Sequence, residues 1–279
     1  MIDPAIEALY NNRALVPDHM KVINSWVSRS EQTRADLPEM RSVPYGVTTR
    51  QKMDIFPAAD SRAPIMLFIH GGYWQGLSPD YFSFIAPALT SLGYCVAIAG
   101  YDLCPDVSIS DITRQMQNAC AFLFANGPQF GADRSRLYVT GHSAGGHLTA
   151  EMMATDWRTV NDKLPHDLIK GGLSISGLFD LSPIVSTSIN IKAGLDQPSA
   201  HRNSPMYRKP VSNGPLVLAV GGEESAAFFD QANQLAAAWG TDYGKIERCD
   251  IAGANHFTVV NQMADPGSPL LGAVSRLIA

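Results

Sequence analysis

Short apolar runs of strand length recur along this chain, and longer helical patterns separate them. Ile65-Met66-Leu67-Phe68-Ile69 is the clearest run: apolar throughout and entered from a proline, with none of the polar alternation of a strand that has one wet face. Residues 95–99, 137–139, 173–175 and 216–220 repeat the pattern, and residues 81–92, 109–124, 144–155 and 226–239 between them have helical spacing and length. This alternation predicts an α/β fold, with a mostly parallel central sheet covered by helices on both faces. It also says where chemistry belongs, because ligands of such sheets gather beyond the carboxyl ends of the strands.

Two segments stand outside the alternation. Residues 1–40 read as polar and helical, and residues 184–214 are rich in Ser, Asn and Pro. The expectation is one domain, 1–279, with a small N-terminal cap and a loop insertion near the site. A net charge of −5 with no basic stripe argues against nucleic acid as a partner. The longest apolar runs are strand-length, too short to span a bilayer. The first residues, Met1 to Glu7, carry acids where a signal peptide carries bases. Cys95, Cys104, Cys120 and Cys249 form no C-x-x-C pair and read as small buried hydrophobes in a reducing compartment. These features predict a cytoplasmic protein with no membrane partner, and they leave a homodimer open. No His, Cys or carboxylate cluster has metal-ligand spacing, so neither metal nor cofactor is expected.

Gly141-His142-Ser143-Ala144-Gly145 follows one apolar run directly and opens a helical segment. G-x-S-x-G in that context predicts a sharp turn that lifts the Ser143 hydroxyl above the sheet. Glycines on either side let neighbouring backbone pass without a Cβ clash. The helix N-terminus behind Ser143 favours the negative charge that develops in acyl transfer. His70-Gly71-Gly72-Tyr73-Trp74 also follows a strand. Its backbone N–H groups, at Gly72 and Tyr73 with Gly71 shaping the loop, are candidates for an oxyanion hole completed by the N–H of Ala144. His70 reads as a brace for that loop rather than a proton carrier. Tyr73 and Trp74 are expected to wall a pocket for a flat or apolar substrate, with His142 beside them.

The general base must then lie late in the chain. Ile251-Ala252-Gly253-Ala254-Asn255-His256 supplies a strand end, a small loop and an imidazole. His256 is expected to take the Ser143 proton and return it to the leaving group. The acid that orients His256 should sit at another strand end. Glu224, after residues 216–220, is favoured over its neighbour Glu223 and over Asp180.

Together these segments resemble the kynurenine formamidase (arylformamidase) branch of the α/β-hydrolases, close to the hormone-sensitive-lipase-like esterases. The resemblance covers nearly the whole chain. The aromatic pair in His70–Trp74 departs from the esterases' H-G-G-G, and the early Tyr10-Asn11-Asn12-Arg13 and Ser204-Pro205 are similar to the formamidase group. Aligning Ser225 and Phe228 puts the family's Asp at Glu224, a departure by one methylene. The resemblance implies hydrolysis of a small aryl formamide such as N-formylkynurenine through an acyl-enzyme. A carboxylesterase for short-chain or aromatic esters is the alternative; a non-catalytic binding protein on the same scaffold is disfavoured because Ser143 and His256 are both present.

Overall fold

The computed structural model describes residues 1–243 and 245–278, so residues 244 and 279 of the expected 1–279 domain lie outside the described residues. Eight strands form one sheet among those residues: β1 (Arg41–Pro44), β2 (Lys52–Phe56), β3 (Ala63–Ile69), β4 (Cys95–Ala99), β5 (Ala132–His142), β6 (Ile169–Ile175), β7 (Leu216–Gly221) and β8 (Ile246–Ile251). Their spatial order is β1-β2-β4-β3-β5-β6-β7-β8, antiparallel between β1, β2 and β4 and parallel from β4 onward. The helices are α1 (Pro4–Tyr10), α2 (Asn12–Leu15), α3 (His19–Asp36), α4 (Ala86–Ser91), α5 (Ile109–Asn126), α6 (Ala144–Met153), α7 (Trp157–Val160), α8 (Asn190–Ala193), α9 (Gln197–Arg202), α10 (Ala226–Tyr243) and α11 (Pro269–Arg276).

The continuous apolar run of β3 has the cause expected of it. All of its residues are buried, with Ile65, Leu67 and Ile69 facing one apolar cluster and Met66 and Phe68 the other. The edge strands differ: β1 is mostly exposed and β8 alternates, burying only one face. Helix α6 is buried along its whole length, His147, Thr149 and Glu151 included. The four cysteines are free and buried.

Three features depart from the sequence reading. The expected helix over residues 81–92 is broken into 3₁₀ turns at Pro79–Tyr81 and Ser83–Ile85, followed by the short α4. Pro87 lacks an N–H and is tolerated only in a helix's first turn, so α4 starts there. Strand β1 precedes the alternation and was invisible to it, because an exposed edge strand needs no apolar run. Residues 184–214 are not a bare loop but a chain of short helical turns, including α8 and α9. No described helix is long and apolar enough to cross a membrane.

Candidate active site

Ser143 stands between β5 and α6 with φ 58° and ψ −116°. A non-glycine residue in that region costs about 1–3 kcal/mol and persists only where surroundings over-determine it. Here they do. The Ser143 N–H donates to the Ile175 carbonyl at 2.8 Å. A methyl on Gly141 would strike the Gly145 carbonyl, and one on Gly145 would strike the Ile69 carbonyl. The glycines are there because β3, the turn and α6 pass at backbone contact. Ala144 is the first residue of α6, so its N–H has no intrahelical partner and is free for a ligand.

His256 lies just beyond β8, with Nε2 at 3.0 Å from Ser143 Oγ and Nδ1 at 2.6 Å from Glu224 Oε2. A carboxylate only accepts, so Nδ1–H donates to Glu224 and Nε2 is left to accept the Ser143 proton. The ring is held between His142 and Phe228, at centroid distances of 4.8 and 4.7 Å. The second Glu224 oxygen accepts from Ser176 Oγ and from the Gly221 N–H, the latter at 2.7 Å. The side chain therefore folds back over the end of β7, and its extra methylene is taken up by that return. A Cβ at Gly221 would sit 3.1 Å from Glu224 Oε1 and 2.5 Å from the Ala254 carbonyl. Only glycine fits beneath the carboxylate.

The rival acids are elsewhere. Glu223 is exposed and contributes its N–H, which donates to Ala254 at 2.9 Å and ties the acid loop to the His256 loop. Asp180 accepts from the Ser182 N–H at 2.9 Å and lines a different hollow beside Tyr10 and Gln231.

The loop after β3 turns through left-handed backbone at Gly72 (φ 102°), Tyr73 (φ 51°) and Trp74 (φ 59°), closed by Gln75 N–H to Gly72 O at 2.9 Å. A Cβ at Gly71 would lie 3.1 Å from Ser143 Cβ, so this loop abuts the nucleophile. His70 is completely buried, donates from Nδ1 to the Gly71 carbonyl at 2.8 Å and stacks on Tyr101 at 4.1 Å. Burial pushes its pKa down to about 3, so it braces the loop as a neutral ring. Burial likewise holds the His142 pKa well below the imidazole range, with the nearby His256 ring adding to the effect. His142 Nε2–H donates to the His256 carbonyl at 2.7 Å. Of the six described non-glycine residues with positive φ, five (Tyr73, Trp74, Leu77, Ser143 and Ser176) lie in or around this site.

Above Ser143 is a hollow of about 470 Å³, including its open mouth. Its floor is Gly72, His142, Ser143 and His256, and Ile23, Trp26, Leu77 and Phe257 supply apolar walls. Asn12, Arg13 and Tyr73 complete the rim. A serine beside a carboxylate-oriented imidazole and the helix-initial Ala144 N–H, in a largely apolar hollow, is equipped for acyl transfer.

This geometry has close counterparts. The chain is 31% identical to the kynurenine formamidase of Danio rerio over 92% of its own length and 87% of the relative's. It is 33% identical to that of Salmo salar over 85% and 81%. It belongs to the kynurenine formamidase family. A solved structure from Silicibacter sp. TM1040, provisionally described as a thioesterase, matches with a TM-score of 0.87 at 31% identity, covering 98% of this chain and 99% of that one. The BD-FAE family profile matches residues 53–191. The chain is a hydrolase of the α/β-hydrolase superfamily.

In this kynurenine formamidase-family chain the residues expected from sequence fall into two groups. Ser143, His256, Gly72, Tyr73 and His142 line one hollow, with Glu224 buried behind His256 and Ala144 following the nucleophile. Trp74 does not join them. It is fully buried behind the loop, edge-on to His147 at 5.2 Å, because left-handed backbone at Tyr73 and Trp74 sends the two side chains to different places. Four contributors escaped the sequence reading. Ser176 carries no motif beyond its place after a strand. Asn12, Arg13 and Trp26 come from the N-terminal helices, where neighbouring polar residues drown the signal. The buried stripe Trp26, Ser30 and Thr33 along α3 was the available clue.

Proposed function

We propose that this chain deformylates small aryl formamides, N-formylkynurenine among them. Membership in the kynurenine formamidase family over most of the chain carries this reading, and the hollow above Ser143 supports it. Formyl is the smallest acyl group and needs little room beside Ser143, while the apolar walls suit an aryl ring. Ser143 Oγ attacks the formyl carbon as its proton passes to His256 Nε2. The resulting oxyanion is held by the N–H groups of Gly72, Tyr73 and Ala144, each such donor contributing about 10²–10³ in rate. Imidazolium then protonates the departing arylamine, and the C–N bond breaks to leave a formyl ester on Ser143. Water then attacks the formyl ester as His256 takes its proton; the bond to Ser143 Oγ breaks, His256 returns the proton to Oγ, and formate leaves. Glu224 holds the imidazole tautomer throughout. The enzyme is taken to work in the cytoplasm, where four free buried thiols stay reduced.

Ester or thioester cleavage is the second reading, favoured by the likeness to the Silicibacter structure, and would follow the same path with an easier leaving group. The deciding experiment is kcat/KM for N-formyl-L-kynurenine beside p-nitrophenyl acetate and butyrate on one preparation. A formamide value of about 10⁴ M⁻¹s⁻¹ or more is expected, in the ordinary range for an enzyme on its own substrate. Fast ester cleavage with negligible deformylation would move the function to carboxylesterase.

A further inference from the structure

The loop after β3 carries carbonyls as well as N–H groups, and the partners of its carbonyls fix where the N–H groups face. In a trans peptide the C=O of one residue and the N–H of the next point in opposite directions. The Gly71 carbonyl accepts from His70 Nδ1 at 2.8 Å and lies 3.3 Å from Tyr101 OH. The shorter bond of that hydroxyl, at 2.8 Å, is to the His70 carbonyl. Both carbonyls are drawn toward Tyr101, so the Gly72 N–H is turned away from it. Tyr101 is fully buried and lines no part of the hollow that Gly72 shares with Ser143.

Tyr101 is itself held. It follows β4, and its ring stacks on His70 at 4.1 Å. Its backbone carbonyl accepts from Arg50 Nε at 2.9 Å, while a terminal nitrogen of Arg50 donates to the Leu77 carbonyl at 2.5 Å. Leu77 is left-handed (φ 68°) and walls the hollow at the far end of the loop. The planar guanidinium of one residue, in the turn between β1 and β2, therefore grips the brace of the loop's start and the backbone of its end. This approach needs Gly100, where a Cβ would lie 2.6 Å from the Arg50 carbonyl.

We propose that Tyr101, held by Arg50, is a positioning residue of the oxyanion hole. Neither residue reaches the reacting atoms. Together they set the direction of the Gly72 N–H, and a donor stabilises the transition-state charge only when it is already aimed at it. An oxyanion forms in amide and ester cleavage alike, so the inference stands apart from the deformylation reading.

The test follows N-formyl-L-kynurenine and p-nitrophenyl acetate, with turnover expressed per active site titrated by a fluorophosphonate, so that unfolded molecules do not count. Tyr101→Phe keeps the ring and removes one hydroxyl. Its kcat should fall about tenfold on each substrate that the native enzyme cleaves, with KM within about twofold. A phenyl trifluoromethyl ketone separates aim from packing. Ser143 Oγ adds to its carbonyl carbon as the proton passes to His256 Nε2, which leaves an oxyanion in the hole and no group to expel. Its Ki should rise by the factor that kcat falls. Arg50→Lys keeps the charge but cannot bond both carbonyls at once, and should lower kcat about threefold with Ki following. If Tyr101→Phe yields no titratable sites, Arg50→Lys decides by the same two constants. Unchanged kcat, a loss confined to KM, or a fall in kcat that Ki does not follow would overturn the inference. Inert N-formyl-L-kynurenine beside an acetate that follows the pattern would overturn deformylation and leave the inference standing.

Discussion

The floor and the roof of this site are made in different ways. The floor is backbone: strand ends, glycines that admit no Cβ, and residues held in left-handed conformations by neighbours that cannot move. The roof is the N-terminal helices, held by a few buried side chains, Trp26 the largest of them, and a set of hydrogen bonds. Trp26 is fully buried and donates from Nε1 to Asn261 at 2.9 Å. Tyr73 OH donates to the Tyr10 carbonyl, Asn12 Nδ2 donates to Tyr73 OH at 3.2 Å, and Ser225 Oγ donates to the Leu9 carbonyl at 2.6 Å. A rigid floor suits the reacting atoms, where small displacements cost rate. A side-chain roof suits substrate choice, because its groups can change without disturbing the sheet.

If that division is right, the largest losses come from the floor. Ser143→Ala and His256→Ala should each lower kcat by about 10⁵–10⁶ while the thermal transition stays cooperative, since neither removes packing that the sheet needs. Glu224→Ala should follow with about 10³–10⁴, read in kcat rather than KM. Ser176→Ala removes one donor to the buried carboxylate and should cost about tenfold in kcat. A KM effect without a kcat effect there would make Ser176 a mere packing residue.

The roof should respond in the other constant. Tyr73→Phe keeps the loop N–H groups but releases Tyr10 and Asn12, so KM should rise about threefold with kcat within about twofold. A hundredfold loss of kcat instead would mean that the roof shapes the reacting geometry, and the division would fail.

The floor also carries an effect on stability rather than on rate, and it depends on pH. Burial depresses the pKa values of His70, His142 and His147 in the folded state. The unfolded chain then binds more protons than the native one below the ordinary imidazole value of about 6.5, so this stability is present above that pH and is lost as pH falls. For His70, with a folded value of about 3, the loss at pH 5 is about 2 kcal/mol. Urea titrations at neutral pH and pH 5 should show it, and His70→Asn should flatten the dependence.

The same division explains what could be read from the sequence. Ser143, Gly72, Ala144 and His256 were legible because backbone geometry demands particular residue types at fixed offsets from apolar runs. Glu224 was half legible. Strand-end position narrowed the choice, and the alignment of Ser225 and Phe228 with the family pattern favoured it over Glu223. How a side chain one methylene longer reaches His256, by folding back over Gly221, was not legible. Of the roof only the segment was legible: residues 1–40 read as a cap, but not which of its side chains meet the site. Asn12 and Arg13 reach the site because α1 packs on α10 and the Ser182–Ser186 turn, and α3 on the turns at Pro79–Tyr81 and Ser83–Ile85, which periodicity does not encode. Trp74 was misplaced because two consecutive left-handed residues overturn the usual rule that loop aromatics share a wall.

The central claim is that one serine, Ser143, performs the hydrolysis. Titration with a fluorophosphonate, followed by mass spectrometry of the digested protein, tests it directly. The account predicts one adduct per chain, on the peptide containing Ser143, with formamide and ester turnover lost together in proportion to labelling. Inactivation with the adduct on another residue, or full labelling of Ser143 with deformylation intact, would contradict it.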